Sequence, residues 1–390
     1  MDHHNDTPSG QTRLGIEFTG SGSEYFRIWI VNLLLTLLTL GLYHPWAKVR
    51  TLRYFYGNTH VGAHPLDFHG DPWRMLRGFL LVGTLLVLYS FAGKVSVDAG
   101  QVALVIVALV WPALFRASLQ FRLANTSWRG LRFHFGGGMA GAYKALLPAI
   151  VPGVLFFALS LQVPDGPRPK VPHWLTLAFP LSLLAAALLA PLLWWAMKRY
   201  QHDHYGLGPW RTQLRASAGA FYGVFLRTAG ISVVMLALIA GAGMLAAFAG
   251  GAGGFTGRWK DPAQARTVLG LVMVLGAVGY LGFLILGRSF FASRMQNLVW
   301  NRTKGTRVRF ESRLALRSLA WLTLKNWLLT LLTLGLYWPF AAVASARMRL
   351  EAVTVFTRTD PDELVARANP PGRDASGEAA AELVGLDVGL

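Results

Sequence analysis

Six long apolar segments, at residues 78–92, 102–115, 145–161, 174–197, 228–255 and 268–287, carry no Asp, Glu, Lys or Arg in their cores. A helix crosses the hydrocarbon core of a bilayer with about 20 mostly apolar residues, so these segments read as membrane spans. The first two are short and extend through Lys94 and Ser118 by snorkelling or burial. Charged residues make up only 14% of the 390 positions, against about 25% in soluble domains, and the chain is excluded from that class. Cysteine is absent, which removes disulfides, thiolate metal sites and cysteine nucleophiles.

The formal net charge is +18, and its placement alternates along the chain. Residues 45–77, 113–144, 195–227 and 287–326 hold five, five, five and nine Lys and Arg, whereas 92–101, 162–173 and 251–268 hold one, two and three. By the positive-inside rule the four basic connections are cytoplasmic. A nucleic-acid binder would gather its basic residues into a patch on one soluble domain, and this distribution argues against that partner. The polar opening residues lack the basic start and apolar core of a signal peptide.

The basic connections repeat. Residues 34–43 and 328–337 both read LLTLLTLGLY, with Asn32 matched by Asn326 and Pro45 by Pro339. A subtler unit recurs four times: a basic helix end, a polar pair, a glycine turn and a short alternating strand. Asn58-Thr59, Asn125-Thr126 and Asn301-Arg302-Thr303 mark the polar pair, and Gly62, Gly130, Gly206 and Gly305 the turn. Turn residues between alternating runs predict β-hairpins, and LGIEFTGSGSEYF from Leu14 reads as a partial fifth copy. Isolated hairpins are marginal, so the strands are expected to gather into a small cytoplasmic β-hairpin sheet under the helices.

The expected fold is therefore mainly α, a polytopic transmembrane helical bundle with internal pseudo-repeats. Residues 1–13 are expected as a disordered tail, 14–352 as the membrane domain and 353–390 as a flexible acidic tail in which EAAAELVGL turns briefly helical. If the opening copy shares a side with the others, residues 28–52 must enter and return, as must 319–347. Gly41 to Pro45 and Gly335 to Pro339 would bend them, because proline disfavours helix at the preceding residue. The alternative is eight ordinary spans.

The block NLLLTLLTLGLYHPWAKVRTLRYFYGNT, followed by DFHGDPW, resembles the YjgN-like family of bacterial inner-membrane proteins. Asn32, Thr39, Gly41, Tyr43, Pro45, Trp46, Lys48, Arg50, Asn58 and Thr59 carry the likeness, and GAFYGVFL at 219–226 adds a second block. The resemblance covers about residues 14–352. It implies a multi-pass inner-membrane protein and no activity, since the family is one of unknown function. The second copy departs from the motif where Ala342 stands opposite Lys48.

Other constellations point to little chemistry. His60, His64 and His69 lie near Asp67 and Asp71, but without cysteine or a metal-site frame they read as polar residues of interfacial strands. No H-E-x-x-H or Walker A sequence occurs, so enzyme chemistry is disfavoured, and no cofactor or metal is assigned. The glycine runs at 136–141 and 250–257 read as turns and close helix packing rather than headgroup cradles. Tryptophans such as Trp46, Trp73, Trp174 and Trp338 sit near span ends, as an interfacial belt does.

Membrane lipids are the expected partner. Three functions fit: a passive transporter or channel for a small solute or lipid, a membrane scaffold or assembly factor with a cytoplasmic partner surface, and a lipid-active enzyme. The candidate pathway residues are the bends: Thr39, Gly41, Tyr43, His44 and Pro45, with Thr333, Gly335, Tyr337 and Pro339. The absence of intramembrane charge argues against a proton relay. Single cysteines placed at Ser9 and Ser376 should react with an impermeant maleimide only after cell lysis if both termini are cytoplasmic. Labelling of both in intact cells would mean eight spans.

Overall fold

The structure is a computed structural model and describes residues 11–163, 171–249, 262–359 and 362–363. Among these residues ten strands and ten helices follow one rhythm. Strand β1 (Thr12–Phe18) leads into helices α1 (Gly22–Leu38) and α2 (His44–Gly57). The hairpin of β2 (Thr59–Val61) and β3 (His64–Phe68) leads into α3 (Pro72–Val95) and α4 (Val97–Ala124). Strands β4 (Thr126–Trp128) and β5 (Leu131–Phe135) precede α5 (Met139–Ser160) and α6 (His173–His202). Strands β6 (Tyr205–Leu207) and β7 (Trp210–Leu214) precede α7 (Ala218–Ala249) and α8 (Pro262–Arg302). Strands β8 (Thr303–Gly305) and β9 (Val308–Ser312) precede α9 (Leu316–Leu332) and α10 (Trp338–Glu351), and β10 (Val353–Thr357) follows. Helices α3 to α8 are the six long and apolar enough to cross a membrane.

The strands close into one antiparallel barrel in the order β1-β10-β9-β8-β7-β6-β5-β4-β3-β2. This corrects the expected small cytoplasmic sheet of β-hairpins. A hairpin of three and five residues leaves two edges too short to hold alone, and five units arranged around an axis leave no edge unpaired. Residues 353–357 are a strand paired to both β1 and β9, and Thr12 and Arg13 belong to β1. Residues 1–10, 364–390 and the glycine run 250–257 lie outside the described residues.

Each joint between units is built alike. Phe18 faces Thr59, Phe68 faces Thr126, Phe135 faces Tyr205, Leu214 faces Thr303 and Ser312 faces Val353. One residue further on, the N–H groups of Thr19, His69, Gly136, Arg215 and Arg313 donate to the carbonyls of Asn58, Asn125, His204, Arg302 and Ala352 at 2.8–3.0 Å. The hydroxyls of Thr59, Thr126 and Thr303 donate to the carbonyls four residues earlier, at 2.7–2.8 Å, satisfying groups that the helix end leaves free. Within units the turns are two residues long. Arg129 and Gly130 both take positive φ, as a type I′ hairpin requires.

Small cores sit where strands meet helices. Phe18 packs with Tyr25, Phe135 with Ala142, and Leu214 with Phe221, each pair seven residues apart. Two residues beyond each strand end the chain holds Gly20, Gly70, Gly137, Ala216 and Leu314, following Phe18, Phe68, Phe135, Leu214 and Ser312. The sizes compensate: a large ring precedes a glycine and a serine precedes a leucine. Interiors at crystal-like density admit little else.

Successive helices pack side by side, and α10 packs on α1, so the ten form a closed ring above the barrel. Helices α1 and α2 return to neighbouring strands, which brings residues 22–57 back to the side they left. Helix α1 has 17 residues and is about 25 Å long at 1.5 Å per residue, short of the hydrocarbon core.

A Cβ at Gly70 would overlap the Phe68 ring. Gly70→Ala should therefore lower stability by about 1–3 kcal/mol, and Phe68→Leu in the same chain should restore most of it, imitating Leu214 and Ala216. Thermal unfolding in detergent measures both. A Gly70→Ala protein as stable as the parent would refute the packing account.

Candidate functional site

The sequence-identified residues fall into two turns and one helix-to-strand link. At the first turn the Thr39 hydroxyl donates to the Leu35 carbonyl at 2.7 Å and accepts from the Tyr43 N–H at 3.0 Å. Leu40 and Gly41 take φ of 51° and 94°, which only glycine adopts without strain. The second turn repeats this: Thr333 bonds the Leu329 carbonyl at 2.7 Å and the Tyr337 N–H at 2.9 Å, with Leu334 and Gly335 at 50° and 94°. Pro45 and Pro339 open α2 and α10 and are buried. Asn32 and Asn326 each tie their hairpin shut by donating to the carbonyls of Ala47 and Ala341 at 3.3 Å. Leu40 and Leu334, at the tips, are 95% and 94% exposed. Fully exposed leucines held against their backbone preference belong in hydrocarbon rather than in water.

The flanks differ. Arg50 donates to the Asn32 side-chain Oδ1 at 3.4 Å and to the Tyr43 hydroxyl at 3.3 Å. In the second copy Ala344 stands opposite Arg50, and the Asn326 Oδ1 is buried without a partner. Tyr43 stacks on Trp46, Trp46 meets Trp73 edge-on at 5.0 Å, and His44 lies 5.6 Å from Phe79, so the first turn anchors α2 against α3. Lys48 is exposed. Asn58 bonds the Tyr54 carbonyl, which with Thr59 makes a helix-to-strand link rather than a ligand site. His69 is engaged by Ser127 at 2.8 Å, and among the described residues no three His, Cys, Asp or Glu cluster as metal ligands.

Sequence reasoning missed the axis. Positions seven, four and three before each even-numbered strand share one face of the preceding helix, because they are three and four residues apart. They include Lys198 and Gln296, then Arg122, Gln201 and Arg349, then Tyr56, His202 and Trp300. Arg122 and Arg349 lie within electrostatic reach of Lys198, although α10 is not a ring neighbour of α6. Tyr205 is likewise within reach of Arg122 and of Tyr56 on α2, four strands away around the barrel. These residues therefore influence one another electrostatically across the ring. Burial pushes the Tyr205 phenol up to about 12, so it stays a neutral hydrogen-bonding group. His202 is buried, bonded to the Thr303 hydroxyl at 3.0 Å and packed 5.4 Å from Trp300. The signal that would have found this face is alignment of the repeats on their Thr and Tyr strand starts.

Since Tyr205 points inward, the two-residue pleat places Leu207, Phe133 and Trp210 on the inner face, and pairing carries that face round through Phe310, Val355, Leu14 and Leu66. All seven are half-buried, and Trp128 and Leu131, which continue the same face between Leu66 and Phe133, are buried. The opposite face exposes Arg13, Arg132, Arg211 and Arg309.

Six apolar helices hung on a barrel with a polar outer wall define an integral membrane protein. The chain belongs to the family described as bacterial protein of unknown function (DUF898), whose model matches residues 13–383. It is similar to the inner membrane protein YjgN of Salmonella typhimurium (strain LT2), 32% identical over 167 residues, 40% of this chain and 39% of that one. The protein of the same name from Escherichia coli K12 is 32% identical over 165 residues, 40% of each chain. The aligned part thus spans about two fifths of the length of these relatives. No solved structure matches the chain. The protein is a multi-pass protein of the bacterial inner membrane.

Thr39→Val and Thr333→Val should each lower the unfolding temperature, since each leaves the Tyr43 or Tyr337 N–H unpaired at a cost of about 1–3 kcal/mol. Calorimetry in detergent tests this. An unchanged transition for both variants would show that the hydroxyls do not hold the turns.

Proposed function

We propose that the protein is a passive pathway for small solutes across the inner membrane, running along the shared axis of the helix ring and the barrel. One observation supports the reading: the inner wall of the closed ten-strand barrel is apolar, and Leu14, Leu66, Phe133, Leu207, Trp210, Phe310 and Val355 on it are half-buried, while Trp128 and Leu131 beside them are buried. Eight strands already leave room for filling side chains or one small ligand, and ten give a wider bore. The axis above is lined by the cationic and amide side chains of α4, α6, α8 and α10. Below, Phe133, Trp210 and Phe310 form an apolar constriction of the kind that gates by dewetting. The charge-free span cores support downhill movement without a proton relay. The positive-inside rule supports a cytoplasmic barrel. The two short hairpins flank this pathway as wedges whose hydroxyls serve their own turns.

The scaffold reading draws on the arginine-bearing outer face of the barrel. It makes no use of the closed ring or of the side chains that converge inside it.

Proteoliposomes shrunk with glycerol, urea or glycine report the pathway by light scattering. Solute entry should be faster than in protein-free vesicles, and Phe310→Ala should raise the rate about twofold or more by widening the constriction. Equal rates with and without protein for every solute would overturn the pathway and favour the scaffold.

A further inference from the structure

We propose that the outer groove between α7 and α8 is a binding site for an anionic phospholipid, with the phosphate held by Arg227 and Arg294 and one acyl chain laid along the helices above them. The site lies on the lipid-facing wall. It goes beyond the axial pathway and does not depend on it.

Three rings fix which side of α7 faces outward. Trp194 of α6 and Phe291 of α8 meet at 5.5 Å, and Phe225 of α7 packs on Phe291 at 5.0 Å. Helices α6 and α8 flank α7 in the ring, and two helices separated by a third touch only on its inner side. Phe225 therefore faces inward. Arg227, two residues on, is about 200° further round the helix and faces the lipid.

On that side Arg227, Gly230, Ile231, Val234 and Met235 of α7 and Phe290 of α8 line a groove of about 470 Å³. The Arg294 guanidinium lies over the Phe290 ring, 5.6 Å from its centroid, and so borders the same groove. Arg227 stands nine residues into α7 and Arg294 eight residues before the end of α8, about 14 and 12 Å from the barrel at 1.5 Å per residue. The two cations are thus level. Every other lining residue lies farther from the barrel and is apolar. Charge at the barrel end with hydrocarbon above it is the polarity of a phospholipid in the leaflet nearer the barrel.

Both arginines are exposed, and among the described residues neither takes part in an ion pair. Their planar forks match the paired oxygens of a phosphate. A cation at the foot of a span is better placed on a headgroup phosphate than against acyl chains. Two cations and no carboxylate in the groove favour a net-negative headgroup over one that carries its own cation. Gly230 leaves the groove open for a chain, since nothing stands within 4 Å of where its Cβ would be. Among the three long helix pairs only this one carries both cations: the matching positions are Leu81 and Ala117 in α3 and α4, and Pro148 and Ala196 in α5 and α6.

Native mass spectrometry of the full chain in neutral detergent tests the site, with dioleoyl phosphatidylglycerol titrated in one arm and dioleoyl phosphatidylcholine in the other. The first phosphatidylglycerol should bind about tenfold more tightly than phosphatidylcholine. Replacing both arginines, Arg227→Gln with Arg294→Gln, should abolish that preference, and Arg227→Lys with Arg294→Lys should retain most of it. Gly230→Leu adds its side chain into open space and should weaken phosphatidylglycerol binding several-fold by filling the groove while both charges stay in place. Equal binding of the two lipids, or a preference that survives the double glutamine variant, overturns the proposal. Binding that needs the arginines but ignores Gly230→Leu places the lipid outside the groove and overturns it as well.

Discussion

Everything in this architecture hangs on the pairing of β1 with β10. Four of the five hairpins are made by residues close in sequence, joined by short turns. The fifth joins Thr12 to Thr357 and Gly15 to Thr354, across almost the whole membrane domain. Its pairing turns an open ribbon with two edges into a ring, and the ring fixes where each helix pair stands. Strands of three to five residues gain little individually, so the stability of the barrel is cooperative: opening one joint exposes two edges. The hydrogen bond just beyond each joint, from the residue after one strand to the residue before the next, locks the angle at which a helix pair leaves the barrel. The membrane part is therefore positioned from its barrel end, by backbone geometry that any sequence can supply.

Within that frame the side chains solve the same volume problem five times with different pieces. Phe18 and Gly20, Leu214 and Ala216, Ser312 and Leu314 fill one kind of space by exchanging bulk over two residues. The helix position seven residues on adjusts too, with Tyr25, Ala142 and Phe221 against Phe18, Phe135 and Leu214. Such trading keeps the total volume constant and lets the repeats drift apart, which is why the four hairpins share few letters while keeping one backbone.

That drift sets what the sequence discloses. The six spans are legible because hydrophobic burial in lipid tolerates no charge in the span cores, so the signal is compositional. The two turns are legible because ten residues are identical, and their hydrogen bonds agree to about 0.1 Å at Thr39 and Thr333. Barrel closure is not legible. Alternation in Arg132 to Phe135 says that a strand has two faces, but nothing in a strand says whether its far edge is paired or free. The partner that closes the ring, β10, stands behind two short helices and in front of an acidic tail whose composition masks it. The residues that act on Lys198 are hidden for another reason: Arg122 and Arg349 are scattered along the chain and come within electrostatic reach of it only after the ring folds.

A ring of near-equivalent units gains chemistry by breaking its own symmetry. Strict fivefold repetition at the position seven residues before each even strand would place either five cations or five leucines on the axis. The first would repel itself apart and the second would exclude water. The chain instead carries leucine, leucine, lysine, glutamine and alanine there, and phenylalanine, arginine, glutamine, valine and arginine three residues later. Gln201 accepts from the Lys198 ammonium and Gln296 from the Arg349 guanidinium. The same logic separates the two short hairpins. Each keeps its turn, but only the first keeps Arg50 to satisfy its asparagine, and the second leaves Asn326 half-satisfied beside Ser345. The geometry shared by the units is thus structural, and the departures from it are what make one unit differ from the next within a single closed ring.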